Sequence, residues 1–314
     1  LVIPIKFLPI ALALCWPQAQ GIDAFSSIEN LFGSREEDQG IFIEKKADRD
    51  ARFAPMSPGD SELGEQLILS RETKPAPFKL FLQSEFYWTN NLYAAPSDTD
   101  DSLFWFNAAE LSWRPSLGNG FVLDTFINAQ SFVFQHDSAL NFESFMLGLG
   151  IVKVIPELDG LVVFGRYEFQ NIELDRGITP NPASYHRLRF GAYKEILDTR
   201  RHGAYLSLGA RFDLDSDPSS VSRNEYAFRA GYSYALTDRL SAGAFYRIGR
   251  RNFENIDRDD TFHMIGSDLT YNMSKALTLT ASALWTENDS DNSPFAQDYH
   301  SLQFGIALNY QINF

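Results

Sequence analysis

The chain has 314 residues, 44% of them hydrophobic and 14% aromatic, which is apolar enough for a large folded unit and excludes a chain disordered throughout. Against 27 Lys and Arg stand 41 Asp and Glu, a net charge of −14, so nucleic acid is excluded as a main partner because phosphate needs a basic footprint. The 27 Phe, 13 Tyr and 20 Gly beside a single Cys lean toward β structure built without disulfides.

The first stretch, LVIPIKFLPIALALC, has one basic residue, Lys6, ahead of an apolar run from Phe7 to Trp16, and Ala19-Gln20-Gly21 puts small residues at −3 and −1 of a cut after Gly21. This pattern is expected of a secretory signal peptide over 1–21, too short to span a bilayer comfortably. Leu1 in the first position fits an unusual start codon or a clipped leader equally well. Leu12-Ala13-Leu14-Cys15 has the outline of a lipidation site, but the residue before the Cys should be small and Leu14 is not. With cleavage after Gly21 the mature chain keeps no cysteine. Residues 22–77 then turn polar, charged and poorly periodic, as in Ser34-Arg35-Glu36-Glu37-Asp38 and Ser57-Pro58-Gly59-Asp60, and are expected to form a largely irregular periplasmic tail or plug.

From Phe78 the apolar residues recur with period two, and no apolar run reaches the length of a transmembrane helix. In the last segment Leu302, Phe304, Ile306, Leu308, Tyr310, Ile312 and Phe314 share one face, with Ser301, Gln303, Gly305, Ala307, Asn309, Gln311 and Asn313 on the other. Twelve such segments are expected, at 78–92, 103–117, 121–135, 141–156, 161–174, 185–198, 204–215, 224–237, 239–252, 261–273, 276–287 and 299–314. Short connections such as Leu117-Gly118-Asn119-Gly120 and Thr237-Asp238 alternate with mostly longer, Asp-rich ones such as Asp213-Leu214-Asp215-Ser216-Asp217 and Glu287-Asn288-Asp289-Ser290-Asp291.

An even number of long alternating segments, short turns on one rim and polar loops on the other lead to an all-β fold: a closed antiparallel transmembrane β-barrel over 78–314. A soluble sandwich also alternates, but its strands are typically about five or six residues, too short for these segments. Trp88, Trp105, Trp113, Tyr226, Tyr271, Trp285 and Tyr310 fall on the apolar row near segment ends, where membrane interfaces collect aromatic side chains.

On its leader, its alternating final strand and the terminal Phe314, the chain resembles the porin-like outer-membrane β-barrel proteins of Gram-negative-type envelopes. The resemblance implies outer-membrane lipid and lipopolysaccharide as surroundings, both termini periplasmic, and recognition of Phe314 by the barrel assembly machinery. A periplasmic partner for 22–77 is a further expectation.

With the apolar rows facing lipid, the opposite rows line a lumen. Arg166, Arg189, Arg211, Arg229 and Arg247 lie on five consecutive strands, each about six to eight residues from its short turn, and are expected to form an arginine arc; Arg187 and Arg251 share the row. Glu85, Glu110 and Asp124 stand across the barrel, the two glutamates at the height of the arc. Such fixed charge sets ion selectivity in aqueous pores, and the guanidinium fork suits carboxylates and phosphates. The same charges also fit an internal ion-pair network, as the spacings Arg166 to Glu168 and Arg211 to Asp213 suggest. Inward Phe104, Phe106, Phe126, Phe132, Phe134 and Phe164 narrow the bore, while Gly209, Gly231, Gly243 and Gly266 widen it.

The function expected is an outer-membrane channel for small anionic or zwitterionic solutes; the alternative is a non-conducting anchor or scaffold barrel whose tail plugs the lumen or binds a partner. No catalytic site and no cofactor are expected. Of His136, His186, His202, His263 and His300, only His300 adjoins a serine, and strand neighbours point to opposite faces. Asp213, Asp215 and Asp217 form the best, though weak, Ca²⁺ cluster, without the ordered spacing of a calcium loop.

Overall fold

The alternating residues build strands whose apolar faces all turn outward. The computed structural model describes residues 76–92, 94, 100–135, 138–174, 183–291 and 298–314, so the expected leader, the expected tail up to residue 75, Cys15 and His136 lie outside the described residues. Twelve long strands run in chain order: β1 (Phe78–Thr89), β2 (Ser102–Trp113), β4 (Phe121–Phe134), β5 (Phe142–Ile155), β6 (Leu161–Leu174), β7 (Ala183–Asp198), β8 (His202–Asp217), β9 (Arg223–Ala235), β10 (Leu240–Phe253), β11 (Arg258–Asn272), β12 (Leu277–Ser290) and β13 (Tyr299–Asn313), with a three-residue strand, β3 (Ser116–Gly118), in the turn between β2 and β4.

Each long strand pairs antiparallel with its neighbours in sequence, and β1 pairs with β13, so the sheet closes on itself. The seam ends where Phe78 N donates to Phe314 O at 3.0 Å and Phe314 N donates to Phe78 O at 2.9 Å. Closure leaves no edge, which is what allows strands to stand in hydrocarbon. The seam also places both ends of the barrel chain on one rim, with the short turns. There Asn119 and Asp159 take φ of 51° and 50°, each followed by a glycine at positive φ, a conformation Asn, Asp and Gly adopt at least cost.

Strand boundaries agree with the alternation to within a few residues except on the other rim. β8 runs to Asp217 and β12 to Ser290, so two stretches expected as Asp-rich loops are strand, and the connections at 218–222 and 254–257 are short. Pairing continues there through inward residues that hydropathy does not mark, Asp213 and Ser216 on β8 and Thr286, Asn288 and Ser290 on β12.

The outer surface is the apolar row. Phe86, Leu149, Leu208, Ile265 and Ile306 are each at least half exposed, and Trp105, Trp113, Tyr226, Tyr271 and Tyr310 are exposed near the strand ends. Inside, Tyr87, Phe104, Phe106, Phe132, Phe134 and Phe142 on β1, β2, β4 and β5 stack in succession, the closest pair being Phe132 and Phe142 at 4.1 Å between ring centroids. The start of the first connection joins them: Asn91, Leu92 and Ala94 are buried, Leu92 packs in this cluster, and Asn91 Nδ2 donates to His300 O at 2.9 Å. Inward side chains are mostly buried toward the loop rim and half-buried toward the turn rim, as on β10, where Arg247, Arg251 and Phe253 are buried and Ser241, Gly243 and Phe245 are not.

Candidate functional site

Strand pairing carries one row of inward charges across eight strands: Asp124, then Gly150, Arg166, Arg189, Arg211, Glu225, Arg251 and Asp260. Arg229 and Arg247 face one another in a second row, four residues along β9 from Glu225. The five arginines of the expected arc therefore all turn inward but fall into two hydrogen-bonded rows, three and two. Glu85 pairs with Phe106, which sets Glu110 four residues nearer the turn rim; the two glutamates do not share a level, contrary to the expectation.

The carboxylates are spaced among the arginines by a short repeat, an acid two residues after an arginine on the same face. Arg166 lies 2.7 Å from Glu168, Arg211 2.8 Å from Asp213, Arg223 3.8 Å from Glu225 and Arg258 2.7 Å from Asp260. Pairs also cross strands: Arg189 reaches Glu168 at 3.3 Å, and Glu225 takes Arg247 at 2.8 Å and Arg251 at 2.9 Å. Arg187 donates to Gln170 Oε1 at 2.7 Å and stands 3.9 Å from Asp213. Asp124 is no part of an opposing acidic wall: it binds Arg114 at 2.7 Å and Arg166 at 3.3 Å and so opens the arginine row. Glu85, buried, accepts from Gln83 at 2.7 Å, and Glu110, half-buried, accepts from Asn128 at 3.5 Å.

On β6 to β11, nine inward arginines (Arg166, Arg187, Arg189, Arg211, Arg223, Arg229, Arg247, Arg251 and Arg258) stand among four buried carboxylates, Glu168, Asp213, Glu225 and Asp260, with Glu195 and Asp268 also on the inward row nearer the turn rim. The wall is therefore positive even with every acid ionised. Most of these arginines are packed; Arg166 and Arg189, with side chains 12% and 14% exposed, are the more accessible, as is Arg114 at 19%.

Several inward rings face a glycine on the neighbouring strand. Phe126 pairs across the sheet with Gly148, Tyr205 with Gly231, Phe245 with Gly266 and Phe262 with Gly249, and in each case a Cβ on the glycine would overlap the ring. These rings lie against the wall over their glycines. Gly231 and Gly266 thus do not widen the bore as empty space, the correction to the sequence reading; they seat aromatic side chains that would otherwise project inward. An arginine lies over each seated ring: Arg166 over Phe126 at 4.8 Å, Arg229 over Phe245 at 3.9 Å and over Tyr205 at 5.7 Å, Arg251 over Phe262 at 4.1 Å. Guanidinium planes held on ring faces keep their edges for hydrogen bonding.

The weak calcium cluster does not assemble. A register shift between the pairs of His186 and Arg187 turns Asp215 and Asp217 to exposed positions, while Asp213 stays buried against Arg211. His300 and Ser301 point to opposite faces, Ser301 being buried and His300 exposed. His186, His202 and His263 each share a hydrogen bond with the hydroxyl of an outward tyrosine, Tyr167, Tyr232 and Tyr246. Sequence reasoning missed Glu225, Asp260, Arg223 and Arg258 as members of the site; the repeat of Arg, any residue, then Asp or Glu was the signal that marks them.

Residues 212–311, from the end of β8 into β13, match the family model described as "Putative beta-barrel porin 2". Among solved structures, an outer-membrane channel from Pseudomonas putida F1 is similar at 10% identity with a TM-score of 0.50, covering 82% of this chain and 100% of that one. The outer-membrane channel DcaP of Acinetobacter baumannii (9% identity, TM-score 0.43, 75% and 96% coverage) and the KdgM porin in complex with disordered oligogalacturonate (9%, 0.41, 73% and 98%) are also similar. No curated protein matches the chain. The closed wall of twelve long strands with its apolar outer row is the fold of an outer-membrane β-barrel, and over residues 212–311 the chain is similar to a family of β-barrel porins.

Proposed function

We propose that the barrel is a channel for small anionic solutes, its selectivity set by the arginine-rich wall of β6 to β11. The observation that carries this is the excess of inward arginine on those strands, nine against the four buried carboxylates and the more open Glu195 and Asp268. In a lumen with low-dielectric walls such an excess is screened weakly and raises the local concentration of anions. The packed Arg211, Arg247 and Arg251 hold the wall together through Asp213 and Glu225. Arg114, Arg166 and Arg189 are the arginines a hydrated solute meets, because their side chains are the more accessible ones.

Charge-neutral replacement of Arg166 and Arg189 by Gln tests this. In a planar bilayer under a KCl gradient the double variant is expected to lose much of the wild type's anion preference while still conducting. An unchanged reversal potential in a conducting double variant would remove these arginines from the mechanism.

The orientation is part of the same reading: an even strand count returns the chain to its starting side, so both ends of the barrel and the short turns face the periplasm. A cysteine in place of Glu254 should react with a membrane-impermeant maleimide on intact cells, and one in place of Asn119 should not. The reverse labelling would invert the topology. Catalysis is the weaker reading, since His186, His202 and His263 turn outward to tyrosine hydroxyls.

A further inference from the structure

Strand register puts Arg229 directly opposite Arg247, two like charges on neighbouring strands of a buried wall. Such a pair repels unless each charge has other contacts: Arg247 reaches Glu225 at 2.8 Å, and Arg229 lies over the ring of Phe245 at 3.9 Å and over that of Tyr205 at 5.7 Å. Tyr205 and Phe245 belong to one cross-strand row, Tyr205, Gly231, Phe245, Gly266, in which aromatic side chains and glycines alternate over four strands. The alternation is what lets both rings lie flat, since a Cβ at Gly231 would overlap Tyr205 and one at Gly266 would overlap Phe245. An arginine side chain has four rotatable bonds, and its charge acts at a defined place only where contacts remove that freedom.

We infer that Phe245 and Tyr205, seated on Gly266 and Gly231, are positioning residues for ion selectivity: they hold the Arg229 guanidinium at a fixed point of the lumen wall. The inference rests on the channel reading and adds to it that two uncharged rings share control of the selectivity. Stacking on the π face offsets part of the cost of burying the cation and narrows the positions its guanidinium can take.

The test compares reversal potentials of the refolded full chain under a KCl gradient for the wild type, Arg229→Gln, Phe245→Leu, the double variant Phe245→Leu/Arg229→Gln and the conservative Phe245→Tyr. Phe245→Leu leaves every charge in place, yet it should shift the anion-to-cation permeability ratio at least half as far as Arg229→Gln. It should add nothing in the double variant, and Phe245→Tyr should restore the wild-type ratio. Should Phe245→Leu fail to refold, Tyr205→Leu is expected to give the same partial shift. A wild-type ratio in Phe245→Leu or Tyr205→Leu, beside a shifted Arg229→Gln, would overturn the positioning role and leave the channel reading intact. A wild type that does not conduct would overturn both.

Discussion

Replacing Glu225 with Gln should destabilise the folded barrel by about 3–5 kcal/mol, the usual cost of removing one partner from a buried ion pair and stranding the other. Three guanidinium groups converge on this carboxylate, Arg247 at 2.8 Å, Arg251 at 2.9 Å and Arg223 at 3.8 Å, and all three arginines are buried. The amide keeps the shape of the side chain and removes the charge that balances them. The arginines cannot turn to water without leaving the wall, and their nearest alternative carboxylates, Asp213 and Asp260, already serve Arg211 and Arg258. Asp159→Asn is the control: Asp159 pairs with Lys194 at 3.4 Å on the turn rim but its side chain is 98% exposed, where such a pair is worth roughly 0–1 kcal/mol. Urea unfolding of the two variants in lipid vesicles checks the contrast; equal midpoints would mean that the inner network does not hold the barrel.

Arginine in place of Ile306 is expected to cost about 2–4 kcal/mol, as a cation does when it faces hydrocarbon near mid-bilayer. Ile306 is 59% exposed on the outer row of β13, between Phe304 and Leu308 along the strand, and its cross-strand partners are Phe86 and Ala281. None of these neighbours offers a counter-charge. Gln311→Arg, on the inward row of the same strand and open to water near the rim, should cost far less. Gln303, also inward, is a poor comparison because it is itself buried and donates to Ser301 at 3.2 Å, so an arginine there would be overpacked. Equal losses for Ile306→Arg and Gln311→Arg would reverse the assignment of the two faces.

The fold was legible in the sequence because each long strand repeats a single decision, apolar out and small or polar in, over a dozen or more residues. Ile306 and Gly305 cannot exchange faces without exchanging every other residue of β13. The loop rim was less legible. From Asp213 to Asp217 charges fall on both faces around a register shift, and from Arg258 to Asp260 every residue is charged, so hydropathy reads both as loop although pairing continues through them. The inward direction of the arginines could be read residue by residue, since direction follows from parity alone. Their grouping could not: whether Arg229 stands beside Arg211 or beside Arg247 depends on register between strands, which single-strand alternation does not contain. The role of the inward glycines was hidden for the same reason, because Gly266 seats a ring only once Phe245 is known to lie opposite it.

Charge selectivity is where the account is most exposed. The direct measurement is the reversal potential of the refolded full-length wild type in a planar bilayer with a tenfold KCl gradient. An arginine-rich wall predicts discrete conducting channels whose reversal potential lies toward the chloride equilibrium potential. Channels that reverse toward the potassium equilibrium potential, or a correctly folded barrel that carries no current, would contradict it.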